Sequence, residues 1–187
     1  LIYLSIWIHD LIMFMLLREN ISVTIEKHPF YKSLNEKILK ETKNHSYQRD
    51  TPLLSGGVSN VKAGATLPVR ISTRSIELVY EWILTLVRPK TNGWNLYVDT
   101  SWLAWYQRED CAISHDHHPS VYSFVYFLKC PKGSSPLIFT TSGKKIKAEE
   151  GKVVIFPGNL LHHVPKNKCY DRIVLAGNIF ASKNDAF

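Results

Sequence analysis

Cysteine is scarce in this 187-residue chain: Cys111, Cys130 and Cys169 are an odd number, widely spaced, with no CxxC pair. That excludes a disulfide framework and a thiolate zinc site, and it points to a reducing, cytosolic setting. Long unbroken apolar runs are also missing. The nearest approach is the opening LIYLSIWIHDLIMFMLL, which His9 and Asp10 interrupt, with no basic segment before it and no small-residue cleavage site after it. Neither a membrane span nor a secretory signal fits such a stretch. Its start on Leu rather than Met suggests a truncated or mis-started reading frame, with a genuine start near Met13 or Met15. Repeats and low-complexity linkers are absent, and 45% hydrophobic against 21% charged residues excludes a disordered chain. Glu149 and Glu150 are adjacent in a lysine-rich hairpin, SGKKIKAEEGK, and point apart, which excludes a glycosidase-type acid pair.

What is present is a single domain's worth of core-forming sequence with a net charge of +7. The charge permits an anionic partner, but the lysines are dispersed, and nucleic acid is therefore a poor match. Two segments have helical periodicity. YKSLNEKILKETKN (31–44) carries a thin apolar stripe through Leu34 and Ile38, whereas TRSIELVYEWILTLV (73–87) presents Ile76, Val79, Tyr80, Ile83 and Val87 as a stripe wide enough to pack on a sheet. TPLLSGGVSNVKAGATLP (51–68) reads as an ordered loop or short strands.

From residue 94 the pattern becomes β. WNLYVDTSWLAWYQ, VYSFVYFLK, PLIFTT, GKVVIFP and RIVLAGNIF are β-branched and aromatic runs between Gly, Pro, Lys and Asn punctuation. The fold class expected is mainly β with flanking helices, a sandwich or barrel of the jelly-roll kind, in one domain spanning 1–187. Residues 1–93 would support a core at 94–180.

Four polar positions stand out at the edges of these runs. In SHDHHP, His115 and His117 are two apart and share a face on extended backbone, with Asp116 on the other. His162 and His163 follow a strand and a Pro-Gly turn in GKVVIFPGNLLHHVP, and Arg172 opens the next strand ten residues after His162. With His162 facing the first pair, Arg172 would lie deeper in the same barrel. His118 and His163 would fall outside the ligand set, because only one of two adjacent strand residues faces inward.

The order HxH, about forty-five residues, FPxxxxH, ten residues, Arg resembles the Fe(II)- and 2-oxoglutarate-dependent oxygenases, in particular a group found in marine microbes and phages. Trp102 in SWLAWYQ, then SHDHHP, YSFVYFL and GKVVIFPGNLLHHVP follow that group's order over roughly 94–180, with SNV at 59–61 as a looser match upstream. The resemblance implies a double-stranded β-helix of the jelly-roll, cupin-like type and a hydroxylase-type dioxygenase using Fe(II), 2-oxoglutarate and O₂. It implies His115, His117 and His162 as metal ligands and Arg172 as the anchor for the co-substrate's far carboxylate, with Tyr126 and Asn178 as further donors or pocket residues. Tyr106, also on a flanking strand, is a candidate for the same role. The substrate would be a small molecule or a peptide, with no membrane partner; the oligomeric state is left open.

One position departs from the superfamily's usual pattern. Most members carry Asp or Glu where this chain has His117, which leaves two readings: three histidines, or Asp116 brought in by a local bulge. Three neutral imidazoles suit a cupin-type metalloprotein, an isomerase or a dioxygenase needing no 2-oxoglutarate. The first cupin motif's downstream glutamate is missing, however. A nucleic-acid-binding barrel ranks last, since it has no use for the histidine cluster.

Overall fold

The computed structural model describes residues 21–49, 61–90 and 94–182. The readings made on residues 1–17 and 51–60 fall outside them. The elements are β1 (Thr24–Lys27), α1 (Tyr31–Glu41), β2 (Val61–Lys62), β3 (Gly64–Ala65), α2 (Arg74–Val87), β4 (Asn95–Tyr106), β5 (Cys111–His115), β6 (Tyr122–Lys129), β7 (Leu137–Phe139), β8 (Lys145–Ile146), β9 (Lys152–Pro157), β10 (His162–Val164) and β11 (Arg172–Ser182). The strands form two antiparallel sheets, ordered β1-β9-β6-β11-β4-β3 and β2-β5-β10-β7-β8.

Both expected helices form. The Thr73 hydroxyl caps α2 by accepting from the Ile76 N–H at 3.3 Å, and Pro89, which cannot continue the ladder, lies just beyond its end. The anticipated stripe of α2 is buried to the last residue: Ile76, Val79, Tyr80, Ile83 and Val87 are each no more than 2% exposed. At about 1.5–3 kcal/mol per buried side chain, this stripe is the main attachment of the helix layer to the larger sheet. It packs with Leu103, Phe124, Tyr126, Leu175 and Ile179.

The larger sheet therefore has two cores, one on each face. The second lies between the sheets, where Ala104, Tyr106, Val125, Phe127, Val154, Phe156, Val174 and Ala176 meet Ala112, Leu137, Phe139 and Val164. Strand pleat sorts the side chains. In β11, residues 173, 175 and 179 face the helices while 174 and 176 face the smaller sheet.

Two bulges interrupt this alternation. Asp99 is the extra residue where β4 pairs with Asn178 and Ile179, so Leu96 and Val98 face the helices while Trp102, Ala104 and Tyr106 face the second core. Leu128 is the extra residue of β6 opposite Ile173 and Val174. There the Leu128 and Phe127 carbonyls accept from Asn35 Nδ2 at 2.8 and 3.3 Å, and the Tyr126 hydroxyl donates to Asn35 Oδ1 at 2.8 Å. Asn35 is thus a buried polar side chain, 5% exposed, tying α1 to the bulge.

Replacing Asn35 with Ala leaves a buried carbonyl and hydroxyl unpaired, and the expected loss is about 2–3 kcal/mol of unfolding free energy. Urea unfolding followed by far-ultraviolet circular dichroism measures it; a midpoint equal to wild type would mean that water replaces the amide at no cost.

Candidate metal centre

β5 ends at His115 and β10 begins at His162, and the two residues are Cα partners in the smaller sheet. His117 follows two residues after β5, on a turn pinned to the loop after β9. Its N–H donates to the Gly158 carbonyl at 2.7 Å, and its own carbonyl accepts from the Ser120 N–H at 2.9 Å. The three rings lie 4.5, 5.0 and 5.1 Å apart between centroids, and their candidate ligand nitrogens are all within 4.8 Å of one another.

Two of the imidazoles have their tautomer set by the backbone. Nδ1 of His115 lies 2.6 Å from the Ile113 carbonyl, and Nδ1 of His162 lies 2.9 Å from the Leu160 carbonyl. Only a protonated Nδ1 can make those contacts, which leaves the Nε2 lone pair of each ring for a metal. Burial drives all three pKa values down, to about 4 for His162 and about 2 for His117, where the neighbouring rings add to the effect. Neutral imidazoles are the form that binds divalent ions. Phe156 packs edge-on to His162 at 4.7 Å, and Trp102 stands 5.5 Å from His117.

Asp116 does not join the group. It is exposed, and its Oδ1 accepts from the His118 N–H at 3.2 Å. His118 is exposed as well, and His163 Nδ1 sits 3.0 Å from Thr140 Oγ1, which in turn bonds Ser114 Oγ at 2.7 Å.

Arg172, the first residue of β11, is 0% exposed. Nε donates to the Ser135 carbonyl at 3.2 Å, and the guanidinium stacks 4.4 Å from the Tyr106 ring centre and 5.5 Å from that of Phe127. Both terminal nitrogens are buried without a hydrogen-bond partner among the described residues. A guanidinium keeps its charge, so these are two unsatisfied cationic donors in the interior, a costly arrangement unless an anion fills the space beside them. Val174 and Ala176 follow on the same face, and Ala176 is the Cα partner of Trp102. From Arg172 to Ala176 the strand advances about 13 Å, so the guanidinium and the histidines mark two ends of one interior. Small side chains, Ala104, Ala112 and Ala176, contribute to the interval.

Tyr126 is elsewhere, a correction to its expected role beside Arg172. Val125 and Phe127 take the inward positions of β6, so Tyr126 points to the helices and its hydroxyl is taken by Asn35. Asn178 is on the inward face of β11 but six residues from Arg172, about 20 Å along the strand, too far to share a carboxylate with it. Its amide donates to Thr100 Oγ1 at 2.9 Å and accepts from Ser123 Oγ at 3.0 Å, making a polar group on the far side of the histidines from Arg172. Tyr106 does lie against Arg172, as a stacking surface.

Three residues matter here that periodicity does not reveal. Ser135 holds Arg172, and Asn167, fully buried, holds Ser135 by accepting its N–H at 3.0 Å. Gly158 lets the turn carrying His117 approach. These are loop positions whose role exists only in tertiary contact, and a Gly next to Pro157 was the one visible cue.

No family model matches the sequence, and no curated protein matches it either. Solved structures do. A viral collagen prolyl hydroxylase from Paramecium bursaria Chlorella virus-1, in complex with 2-oxoglutarate, superposes with a TM-score of 0.61 at 15% identity, covering 83% of this chain and 94% of that one. A prolyl-4-hydroxylase from Pseudomonas putida gives 0.65 at 12% identity, over 87% and 94%. An oxidoreductase of the 2OG-Fe(II) oxygenase family from Burkholderia pseudomallei gives 0.65 at 10%, over 87% of each chain. The fold is that of the 2-oxoglutarate- and Fe(II)-dependent oxygenases. The two facing sheets are accordingly a double-stranded β-helix, the fold expected from the sequence, with β1, β2 and β3 from outside 94–180 at their edges.

A Cβ at position 158 would lie 2.2 Å from both the Ser120 carbonyl oxygen and its Oγ. Gly158→Ala should therefore displace the turn and weaken divalent-metal binding by roughly tenfold, with about 1–3 kcal/mol of overpacking cost. Titration calorimetry with Ni(II) beside a thermal melt separates the two, and unchanged affinity would mean that the contact does not set the position of His117.

Proposed function

We propose that this chain is a 2-oxoglutarate-dependent Fe(II) dioxygenase of the hydroxylase type. The observation that carries the reading is the buried guanidinium of Arg172, with two unpartnered nitrogens, in the same interior as the convergent nitrogens of His115, His117 and His162. A five-carbon dicarboxylate fits this pair of features: one end needs a metal and the other a forked cation. The donor set fits a divalent first-row ion, since imidazole suits Fe(II) as it suits Zn and Ni.

His115 and His162 would hold the metal through Nε2, their rings locked by the Ile113 and Leu160 carbonyls, and His117 would complete the face. Arg172 would grip the distal carboxylate, with Tyr106 and Phe127 walling off water and Ser135 fixing the side chain through Nε. Bound there, Fe(II) supplies the oxidation in which substrate C–H, O₂ and 2-oxoglutarate become C–OH, succinate and CO₂.

The mouth points to where a substrate approaches. β4 and β11 continue past the histidines, and the inward face of this ribbon carries Thr100 and Asn178, then Tyr97 and Phe180, whose rings are 6.5 Å apart. Either a small molecule or a peptide could lie along it, and two of the similar structures are prolyl hydroxylases. The described cysteines are all free, in keeping with a reducing, cytoplasmic location, and no described helix is long and apolar enough to cross a membrane.

One feature favours a second reading. The histidine group lacks a carboxylate, which suits a cupin-type metalloprotein that needs no 2-oxoglutarate. Anaerobic titration with Fe(II) and 2-oxoglutarate discriminates, through the weak visible absorption band of the chelate. Wild type should develop the band, His162→Ala should abolish it, and Arg172→Ala should need roughly a hundredfold more 2-oxoglutarate. A protein that binds Fe(II) without any such band belongs to the second reading.

A further inference from the structure

The metal group is built from neutral ligands alone. His115, His117 and His162 are its only members among the described residues, and the adjacent carboxylate, Asp116, is exposed and turned to the His118 N–H. A divalent cation held there keeps its full double charge. At the other end of the same interior Arg172 adds a third positive charge, and among the described residues its terminal nitrogens have no hydrogen-bond partner. The walls are apolar, with Phe156 and Trp102 against the histidines, so water screens these charges poorly.

Such a site binds a cation less tightly by itself than one that includes a carboxylate, and it gains more from a dianion bound beside the cation. A carboxylate at position 117 would do the reverse. It would attract the metal before any co-substrate arrives, and then repel the co-substrate's metal-binding carboxylate once the two share one ion. Imidazole removes both effects. Coupling between two ligands is reciprocal, so the dianion must tighten the metal by the same factor that the metal tightens the dianion.

We propose that His117 makes metal retention conditional on the co-substrate: the chain holds a divalent metal weakly alone and tightly only together with 2-oxoglutarate. This rests on the functional reading above and concerns the order and strength of assembly, so position 117 acts as a determinant of coupling as well as a ligand. The site would empty of metal when 2-oxoglutarate is scarce and refill when it returns.

The test uses Mn(II), which binds without turnover, with the free ion counted by its electron paramagnetic resonance signal. The full chain is titrated with and without saturating 2-oxoglutarate, in wild type, His117→Asp and His162→Ala, with 2-oxoglutarate's own hold on Mn(II) subtracted. Wild type should gain roughly a hundredfold in Mn(II) affinity from 2-oxoglutarate, the upper part of the usual range for coupled sites. His117→Asp should bind Mn(II) roughly tenfold more tightly than wild type without the co-substrate and gain less from adding it.

A gain in wild type below about fivefold overturns the inference, as does a His117→Asp variant that gains as much as wild type or more. If His117→Asp fails to fold by circular dichroism, the wild-type gain alone decides. Failure of the functional reading looks different: Mn(II) binding would then be missing in every condition, or would be the same in wild type and His162→Ala.

Discussion

The pleat of β11 is the constraint on which the rest of the molecule depends. This strand pairs with β4 on one side and β6 on the other, and its alternate residues belong to different cores. Leu175 and Ile179 hold the helix layer, while Val174 and Ala176 line the interior that runs from Arg172 towards the histidines. A slip of one residue would exchange the faces, sending Arg172 to the helices and Ile173 to the interior. Neighbours that are correct only in this register oppose such a slip. Tyr80, for instance, donates its hydroxyl to the Ile71 carbonyl at 2.8 Å and accepts from the Ser101 hydroxyl at 2.6 Å, fixing α2 on one side of β4.

The histidine group depends on the facing sheet, and its geometry is assembled from three unlike supports. His115 is the last residue of a strand, His162 the first of the strand paired to it, and His117 belongs to a turn. The short strands β5 and β10 carry little pairing energy of their own. Gly158 is what brings the third ring in: backbone bonds from His117 to Gly158 and from Gly158 to Val121 lace the turn to the loop after β9. The outer faces of the same strands are joined at the same level by Ser114, Thr140 and His163. Precision in the ring positions therefore comes from hydrogen bonds between loops more than from core packing.

Much of this was legible in the sequence, and the pattern of what was not is instructive. Long amphipathic elements read well: α2's stripe and the five β runs appear where periodicity put them. Tyr126 has suitable chemistry but the wrong parity: counting from Val125 and Phe127 sends it to the helix side. Asn178 has the right parity but the wrong distance, since six residues of strand separate it from Arg172. The bulges at Asp99 and Leu128 leave no mark in the sequence, yet each changes which residues face which core. The roles of Ser135 and Asn167 leave no cue in the sequence, and Gly158 shows only as part of a Pro-Gly turn, for a related reason: their partners are more than thirty residues away.

Among the described residues no carboxylate pairs with Arg172, and its two terminal nitrogens have no hydrogen-bond partner. The carboxylates of Asp171, its neighbour in sequence, and of Asp110, four residues after Tyr106, are both committed elsewhere. Asp171 immediately precedes it, but a left-handed backbone (φ 59°) turns its side chain outward, where it accepts from Trp105 Nε1 at 3.0 Å and pairs with Lys129 at 3.5 Å. Asp110 pairs with Arg49 at 2.7 Å and accepts from the Gln107 N–H at 2.8 Å. A buried arginine that served only stability would gain most from one of these carboxylates, because an uncompensated interior charge is among the costliest features a fold can carry. Here the chain supplies aromatic faces and a single carbonyl instead. Those contacts hold the guanidinium in place without neutralising it, and they leave its two terminal nitrogens without a hydrogen-bond partner among the described residues.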